Sequence, residues 1–409
     1  MSYPFLTIFL AGLFLGAVYM TLHREQLLFM TMLLAGLGTL CFAIAQLSRK
    51  RVIVKRTVHD RVQAGDTVQV TLTVENSGTL PRFGVTLVDE VGPWLARQGQ
   101  TIRYLPVLWP KRQVVVEYEL EAERRGVHPV GPLRMRLGDP LEMFQRVARV
   151  GEATEAVIYP EVVTLPAPLG GQTPFAPGMS EQRSALGAGT DFYGIREYQP
   201  GDELRRIHWK ATARRNRLAV VEFEENLTGN LTVLLDAETG NDFGEGKDTS
   251  FELAIKVAAA LINDSLQQGT IVRLMTHCNN HLIDVEAGAD ESLDVFLETL
   301  ARVEANGEVP AVSLAMELAT EGIPGETVVI ITAKPHDAWV DATVAMQRAG
   351  LDPVVVLMDA GSFDLKAPHE DAAVTADALS QVGTRTYLVR QGASVAAALL
   401  EMRDGYSRN

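Results

Sequence analysis

Between Gly187 and Arg217 the chain concentrates side chains that could bind an anionic ligand or an acidic partner. Seven cationic side chains stand there against four carboxylates, a local charge of +3 in a chain of 409 residues whose net charge is −14. A local charge opposite to that of the whole protein is typical of an internal ion-pair network or of a docking surface. The candidate interaction residues are Asp191, Arg196, Tyr198, Pro200, Gly201, Asp202, Arg205, Arg206, Trp209, Lys210 and Arg214.

Local patterns predict how these side chains are held. Pro200-Gly201 predicts a turn, Asp202 is a helix N-cap, and residues 203–216 favour a helix with one apolar row and two charged rows. A strand is predicted over 218–223. We therefore expect Arg205, Arg206, Trp209, Lys210 and Arg214 to join two domains and to leave one side for a partner. Because carboxylates are interspersed among the cations, the pattern does not favour nucleic acid.

A second group of oxygen ligands follows the first long apolar strand of the C-terminal part. Asp236 ends that strand, at the edge where parallel sheets place ligands, and Glu238, Asp242 and Thr332 could add oxygens for Mg²⁺. Lys334 puts a cation where a further carboxylate would be needed. We expect no resident cofactor, and Mg²⁺ binding that is weak at most.

Other chemical motifs are incomplete. His277, Cys278 and His281 are spaced for zinc, but no second ligand pair accompanies them, and the intervening Asn-Asn is typical of a hairpin turn. The Gly240–Lys247 stretch superficially matches a phosphate-binding loop, yet Asp248 stands where a hydroxyl is required. The chain carries neither Gly-x-Ser-x-Gly nor His-Glu-x-x-His. The sequence therefore predicts a protein that is not an enzyme.

Two uncharged segments, Pro4–Leu22 and Leu27–Leu47, are each long enough to cross a bilayer as a helix. A cleaved signal peptide is the alternative for the first segment. Five cations follow the second segment, at Arg49, Lys50, Arg51, Lys55 and Arg56, against one in the turn, which predicts a hairpin in the inner membrane with both ends cytoplasmic. The two cysteines, one in a span and one far away, predict no disulfide.

The sequence predicts four parts along the chain. Residues 1–47 form the transmembrane hairpin. Residues 48–165 show period-two strands, at 68–75, 84–91, 101–105, 113–121 and 133–137, typical of an antiparallel β-sandwich. Residues 166–226 are a linker followed by the cationic segment. Residues 227–409 alternate apolar strands with helices, which predicts a doubly wound α/β domain with a parallel sheet.

The residue order of the cationic segment resembles the signature of the "domain of unknown function 58" family. The matching positions are Asp191-Phe192, Arg196, Tyr198, Pro200-Gly201-Asp202, Arg205, Ile207, Trp209-Lys210 and Ala213-Arg214. His208 departs from the Asp that is usual there. The Arg124-Arg125-Gly126 and Gly138-Asp139-Pro140-Leu141 turns also fit the family.

This resemblance implies a fold and a role. It implies a von Willebrand A-like C-terminal domain in a bacterial membrane scaffold that works with a MoxR-type AAA+ ATPase on membrane or envelope clients. In that fold the first strand ends in an Asp-x-Ser-x-Ser metal motif. Here Asp236-Ala237-Glu238-Thr239-Gly240 lacks both serine hydroxyls. The alternative role, a metal-dependent adhesion-like module, would need that metal.

Overall fold

The computed structural model describes residues 3–47, 51–59, 61–96, 103–164, 191–197, 208–209, 212–213, 217–224, 230–288, 293–364 and 372–396. The chain divides into two compact units. The first contains Met1–Glu161 together with Leu297–Arg302, and the second contains Val162–Phe296 together with Val303–Asn409. Each unit is described separately.

Two apolar helices open the first unit, α1 (Tyr3–Leu22) and α2 (Glu25–Leu47). Their most apolar stretches have mean hydropathies of 2.1 and 2.3, and 0% and 6% of the residues in these stretches are buried. The two helices pack against each other, and a Cβ at Gly12 or Gly16 would make ordinary van der Waals contact with Leu34, at 4.0 Å, or Thr31, at 3.6 Å. By length and composition both helices can cross a membrane. The predicted polar turn shortens to His23-Arg24, because α2 already begins at Glu25.

Ten strands follow and form two sheets, of which one has the order β1-β3-β7-β5 and the other β2-β10-β8-β4-β6, with β9 paired to β8. The strands are β1 Val52–Val58, β2 Val62–Gln63, β3 Thr67–Asn76, β4 Arg82–Val91, β5 Leu95–Ala96, β6 Arg103–Leu108, β7 Gln113–Ala122, β8 Gly126–Gly138, β9 Arg146–Val150 and β10 Thr154–Tyr159. Side chains of both sheets, such as Leu72 and Met135, share one core. The predicted strands are present, with shifted ends for several.

Two features of this β domain differ from the expectation. The short pair β2–β10 is parallel, so the domain is not wholly antiparallel. The basic stretch after α2 is also itself a strand, β1, which pairs along its whole length with β3. Its alternation is hard to see in the sequence because Arg56, a cation, lies on the inward face with Val52, Val54 and Val58.

Arg56 and Asp89 form an ion pair inside this domain, with side chains that are 2% and 0% exposed. Two bonds join them, at 2.6 Å from Nη2 and 3.0 Å from Nε, and the Tyr118 hydroxyl donates to the same carboxylate at 2.5 Å. Arg56 also donates to the Glu152 carbonyl at 2.8 Å. We expected Arg56 to be one of the five cations that orient the hairpin in the membrane. This expectation is corrected, because the charge of Arg56 is neutralised by Asp89 inside the β domain.

The second unit begins with an antiparallel pair, β11 (Asp191–Glu197) and β12 (Ala219–Glu224). A six-stranded sheet follows, in the order β15-β14-β13-β16-β17-β18. Its strands are β13 Asn230–Leu235, β14 Ile271–Cys278, β15 His281–Ala287, β16 Thr327–Thr332, β17 Asp352–Met358 and β18 Arg385–Val389. The helices of this part of the chain are α3 Ser250–Gln267, α4 Leu293–Arg302, α5 Ala311–Glu321, α6 Ala338–Arg348, α7 Ala360–Phe363 and α8 Ala372–Gln381. Of these, α4 is divided, because Leu297–Arg302 belong to the first unit.

The sheet is parallel except for its edge strand. Strand β15 runs antiparallel to β14, because Asn279 and Asn280 take the positive φ values of 50° and 59° that a tight hairpin turn requires. Strand β16 is buried at every position, which fits a sheet covered on both faces. The hairpin turn predicted at Asn279-Asn280 is thus confirmed, and it makes one edge of the otherwise parallel sheet antiparallel.

Replacing Arg56 with alanine should strongly destabilise the protein. The change leaves the Asp89 carboxylate buried without its cation, which costs about 3–5 kcal/mol. Thermal unfolding of the full chain in detergent measures the effect. Arg149→Ala is the matched control, because Arg149 pairs with Glu90 at 3.3 Å on the surface and is 65% exposed. Equal midpoints for the two variants would contradict a structural role for the buried pair.

Candidate functional site

Four side chains meet at the carboxyl edge of the six-stranded sheet, where β13 and β16 end. Asp236 follows β13, and Thr332 closes β16. The Thr332 hydroxyl donates to Asp236 Oδ2 at 2.6 Å, and the Lys334 ammonium lies 2.8 Å from Glu238 Oε1. We call Asp236, Glu238, Thr332 and Lys334 the carboxyl-edge cluster. The sequence placed all four at this edge but did not pair Lys334 with Glu238.

The loop after β13 is held by backbone contacts. The Gly307 amide donates to the Ala237 carbonyl at 2.8 Å, and the Thr239 amide donates to the Gly307 carbonyl at 2.9 Å. A Cβ at position 307 would lie 2.1 Å from the His277 carbonyl oxygen, so only glycine fits there. This close approach fixes where Glu238 projects. No motif in the sequence pointed to Gly307.

Burial dominates the chemistry of Asp236, which is only 3% exposed. Burial raises the pKa of its carboxyl above the ordinary value, while the hydrogen bonds from Thr332 and from the Glu238 amide, and the charge of Lys334, oppose that rise. The Lys334 amide donates to the Thr332 hydroxyl oxygen at 3.0 Å, which directs the hydroxyl proton toward Asp236. Protein donors thus satisfy both oxygens of the carboxylate.

The Lys334 ammonium supplies the positive charge of this cluster. It forms an ion pair with Glu238, whose side chain is 22% exposed. Divalent cations of the Mg²⁺ type need several converging oxygens that are free to bind them. Here Glu238 is neutralised by lysine and Asp236 is bonded within the protein. The arrangement is suited to holding the loop in place.

The other metal candidates lie apart from this arrangement. Asp242 is exposed, and its carboxylate accepts a long bond of 3.4 Å from the Phe251 amide in the first turn of α3. Thr249 is the N-cap of that helix. Cys278 is buried and follows His277 on β14, at the hairpin turn. Within the described residues, no three His, Cys, Asp or Glu side chains are grouped to hold a metal.

The cationic segment is described in part. Asp191 and Arg196 lie on β11, a strand that the sequence analysis missed, which pairs with β12 through a bulge between Phe192 and Gly194. Trp209, Thr212 and Ala213 are helical, in line with the predicted helix. Several predicted interaction residues lie outside the described residues, namely Tyr198, Pro200, Gly201, Asp202, Arg205, Arg206, Lys210 and Arg214.

The helical turn at Trp209 is tied to β12. The His208 amide donates to the Ala219 carbonyl at 2.8 Å, and the Ala219 amide donates to the Thr212 hydroxyl oxygen at 3.1 Å. Trp209 itself is 68% exposed. We expected this indole among the residues that join two domains. The side chain is exposed to solvent, and its role between two domains stays a prediction.

Comparisons with known proteins agree with the signature. The family described as "Protein of unknown function DUF58" matches residues 194–356, from β11 into β17. The uncharacterized protein YeaD of Bacillus subtilis (strain 168) is 27% identical over 218 residues, which cover 51% of each protein. The chain thus spans about half the length of this relative.

Solved structures resemble the chain only distantly. The CARDB domain of PF1109 from Pyrococcus furiosus shares 13% identity over 26% of this chain and 94% of its own, with a TM-score of 0.19. A GH20 exo-β-N-acetylglucosaminidase from Vibrio harveyi shares 10% identity over 81% of this chain and 60% of its own, with a TM-score of 0.20. Structural similarity at TM-scores this low does not indicate a function.

Asp236→Asn should flatten the dependence of stability on pH. The pKa of Asp236 in the folded protein is raised above its value in the unfolded chain, which is about 3.9. The stabilisation by the protonated Asp236 is therefore complete below that unfolded pKa, and it is lost as pH rises through the folded pKa. Because asparagine cannot ionise, the variant keeps its stability as pH rises. Its free energy of unfolding should therefore increase relative to that of the wild type.

Denaturant unfolding of the full chain in detergent, repeated across this pH range, measures the trend. Glu245→Gln is the matched control, because this exposed carboxylate in the same loop lies outside the carboxyl-edge cluster, so that the variant removes a charge without touching Asp236. A constant difference between Asp236→Asn and the wild type at every pH would show that Asp236 ionises normally in the folded protein.

Proposed function

We propose that this chain is a membrane-anchored, non-enzymatic adaptor of the "domain of unknown function 58" kind, which docks a MoxR-type AAA+ ATPase for the assembly or maturation of membrane or envelope clients. The observation that carries the proposal is the contact between the β domain and the two apolar helices. The Phe144 ring packs between Phe5 and Phe42, at centroid distances of 5.2 Å and 5.5 Å. These ring contacts therefore attach the β domain to the two apolar helices.

The same contact supports the orientation. Phe5 lies near the start of α1 and Phe42 near the end of α2, so the β domain sits at the end of the hairpin where both chain ends emerge. With Arg56 buried, the exposed cations Arg51 and Lys55 still favour the cytoplasm over the single Arg24 of the turn. We accordingly assign the soluble domains to the cytoplasmic side of the inner membrane.

We take the two sheets of the β domain as a β-sandwich, and the six-stranded sheet with its helices as a von Willebrand A-like domain. In this assignment the carboxyl-edge cluster replaces a metal site. The Lys334 ammonium takes the place of the cation, and its pairing with Glu238 stabilises the loop without a metal. This supports an adaptor over the alternative, a metal-dependent ligand-binding module.

Trp209 is the residue that we assign to ATPase docking. Interface tryptophans contribute strongly to binding because they bury a large apolar area and keep a polar N–H, and truncating one costs about 2 kcal/mol or more at a binding hot spot. The indole is exposed and belongs to the cationic segment, whose net positive charge would complement an acidic partner surface. The match of the family to residues 194–356 includes this position.

Trp209→Ala should reduce recovery of the AAA+ ATPase several-fold without lowering the thermal midpoint, since the side chain is exposed. The measurement is affinity capture of the full chain in detergent, with mass spectrometry of the partners. Trp109→Ala is the matched control, because this indole is 61% exposed but lies on the β domain. If wild type and Trp209→Ala recover equal amounts of ATPase, Trp209 does not dock it.

Calorimetry with Mg²⁺ separates the adaptor from the metal-dependent module. We expect no saturable heat in the submillimolar range for the full chain in detergent, because Lys334 already neutralises Glu238 and protein donors satisfy Asp236. A saturable isotherm that disappears in Asp236→Asn would establish the metal-dependent alternative instead.

A further inference from the structure

Three loops lie together at the end of the β domain that adjoins the hairpin. The turn after β3 is bonded to the first described residue after α2, since the Ser77 amide donates to the Arg51 carbonyl at 3.0 Å. The turn after β6 is bonded to β3, because the Lys111 amide donates to the Asn76 carbonyl at 2.7 Å. The loop after β8 starts where Gly138 pairs with Phe83 on β4. We call residues 77–81, 109–112 and 139–145 the hairpin-side loops.

One of these loops reaches alongside the apolar helices. Asp139, which is fully buried, accepts bonds from the Leu141 and Phe144 amides at 3.0 Å and 2.6 Å, and this fixes the shape of the loop. Phe144 then contacts Phe42, five residues before α2 ends at Leu47. At 1.5 Å per residue the contact lies about 7–8 Å inside the helix end. If α2 spans a bilayer, the tip of this loop lies below the headgroups.

The same loops expose apolar side chains that a soluble surface would not need. Trp109 is 61% exposed, Leu80 44% and Leu141 43%, one on each loop. Tryptophan is enriched at membrane–water boundaries, because its ring is apolar and its N–H stays hydrated. Isolated exposed apolar residues are ordinary, but three on adjacent loops at one end of a domain form a patch that points to a binding surface.

The charge around this patch is positive. Arg51, Lys111 and Arg112 are exposed there. The exposed acid on these loops, Glu142, accepts a hydrogen bond from the Tyr104 hydroxyl at 3.0 Å. Cations next to a bilayer are attracted to anionic headgroups. The charge therefore complements the lipid surface on which the helix geometry places these loops.

An apolar groove continues from the loops along the hairpin. Its volume is about 580 Å³. Its lining is apolar apart from two threonines. Representative lining residues are Phe9, Gly12, Thr31, Leu34, Gly38 and Phe144. In a membrane an acyl chain would fill such a groove, because water gains no hydrogen-bond partners on an apolar wall.

We propose that the hairpin-side loops form a lipid-binding surface that rests on anionic phospholipid headgroups and inserts Trp109, Leu80 and Leu141 into the interface. The proposal rests on the membrane anchoring proposed above. The occupant is the bilayer, because the loops join the hairpin covalently and Phe144 packs between its two helices. A lipid contact would hold the β domain at a fixed height and orientation relative to the membrane.

The test is fluorescence quenching of the full chain in nanodiscs whose phospholipids carry bromine near the carbonyl end of the acyl chains. The chain has four tryptophans, so the emission of Trp109 is taken as the difference between wild type and Trp109→Phe. We expect bromine to quench most of that emission, and more strongly when phosphatidylglycerol is added to phosphatidylcholine. Lys111→Glu with Arg112→Glu should abolish the effect of phosphatidylglycerol.

Trp94→Phe is the matched control. Trp94 lies at the far end of the domain, beside Leu95, which pairs with Ala122 at the other end of β7 from Gln113. Ten strand residues separate the ends by about 30 Å, so the emission of Trp94 should not change with bromine. Equal emission of Trp109 in brominated and unbrominated discs would overturn the proposal and leave the surface to water or to a protein partner. Quenching of equal strength with and without phosphatidylglycerol would overturn the assignment of anionic headgroups as the lipid partner.

The failure of this proposal can be told from the failure of the anchoring. A chain that does not enter nanodiscs contradicts both. A chain that enters them with an unquenched Trp109 contradicts only the lipid-binding surface.

Discussion

The exposure of two apolar helices is the constraint on which the rest of the structure depends. Phe14 is 66% exposed and Phe29 71%, and the stretches around them bury 0% and 6% of their residues. An apolar surface of this extent must be covered, and a bilayer covers it in the adaptor that we propose. The fixed loop at Asp139 then transmits the position of the helices to the β domain through Phe144.

The carboxyl edge of the second unit is built for stability. Asp236, buried and bonded to Thr332, sits beside an ion pair between Glu238 and Lys334. These contacts satisfy the groups that a metal would otherwise bind. In our proposal the domain therefore keeps the ligand-facing edge of its fold as a rigid frame and uses other surfaces for its partners.

The sequence predicted the helices and most strands because their periodicities are local. Strand β16, Thr327–Thr332, is a short run of β-branched residues, and such a run favours a buried strand. Ion pairs between side chains that lie far apart in the sequence were not predicted. Arg56 pairs with Asp89, 33 positions away, so its cation was read as part of the basic cluster after α2. Likewise, Lys334 was placed at the right edge, but its partner Glu238 lies 96 positions away.

Cysteine accessibility in intact cells tests the anchoring and its orientation most directly. In a chain with Cys41 and Cys278 replaced, single cysteines at Gln26, beside the turn of the hairpin, and at Lys247, in an exposed loop of the second unit, are treated with a membrane-impermeant maleimide. We predict that Gln26→Cys reacts from outside and that Lys247→Cys reacts only after lysis. Labelling of Lys247→Cys in intact cells would contradict it.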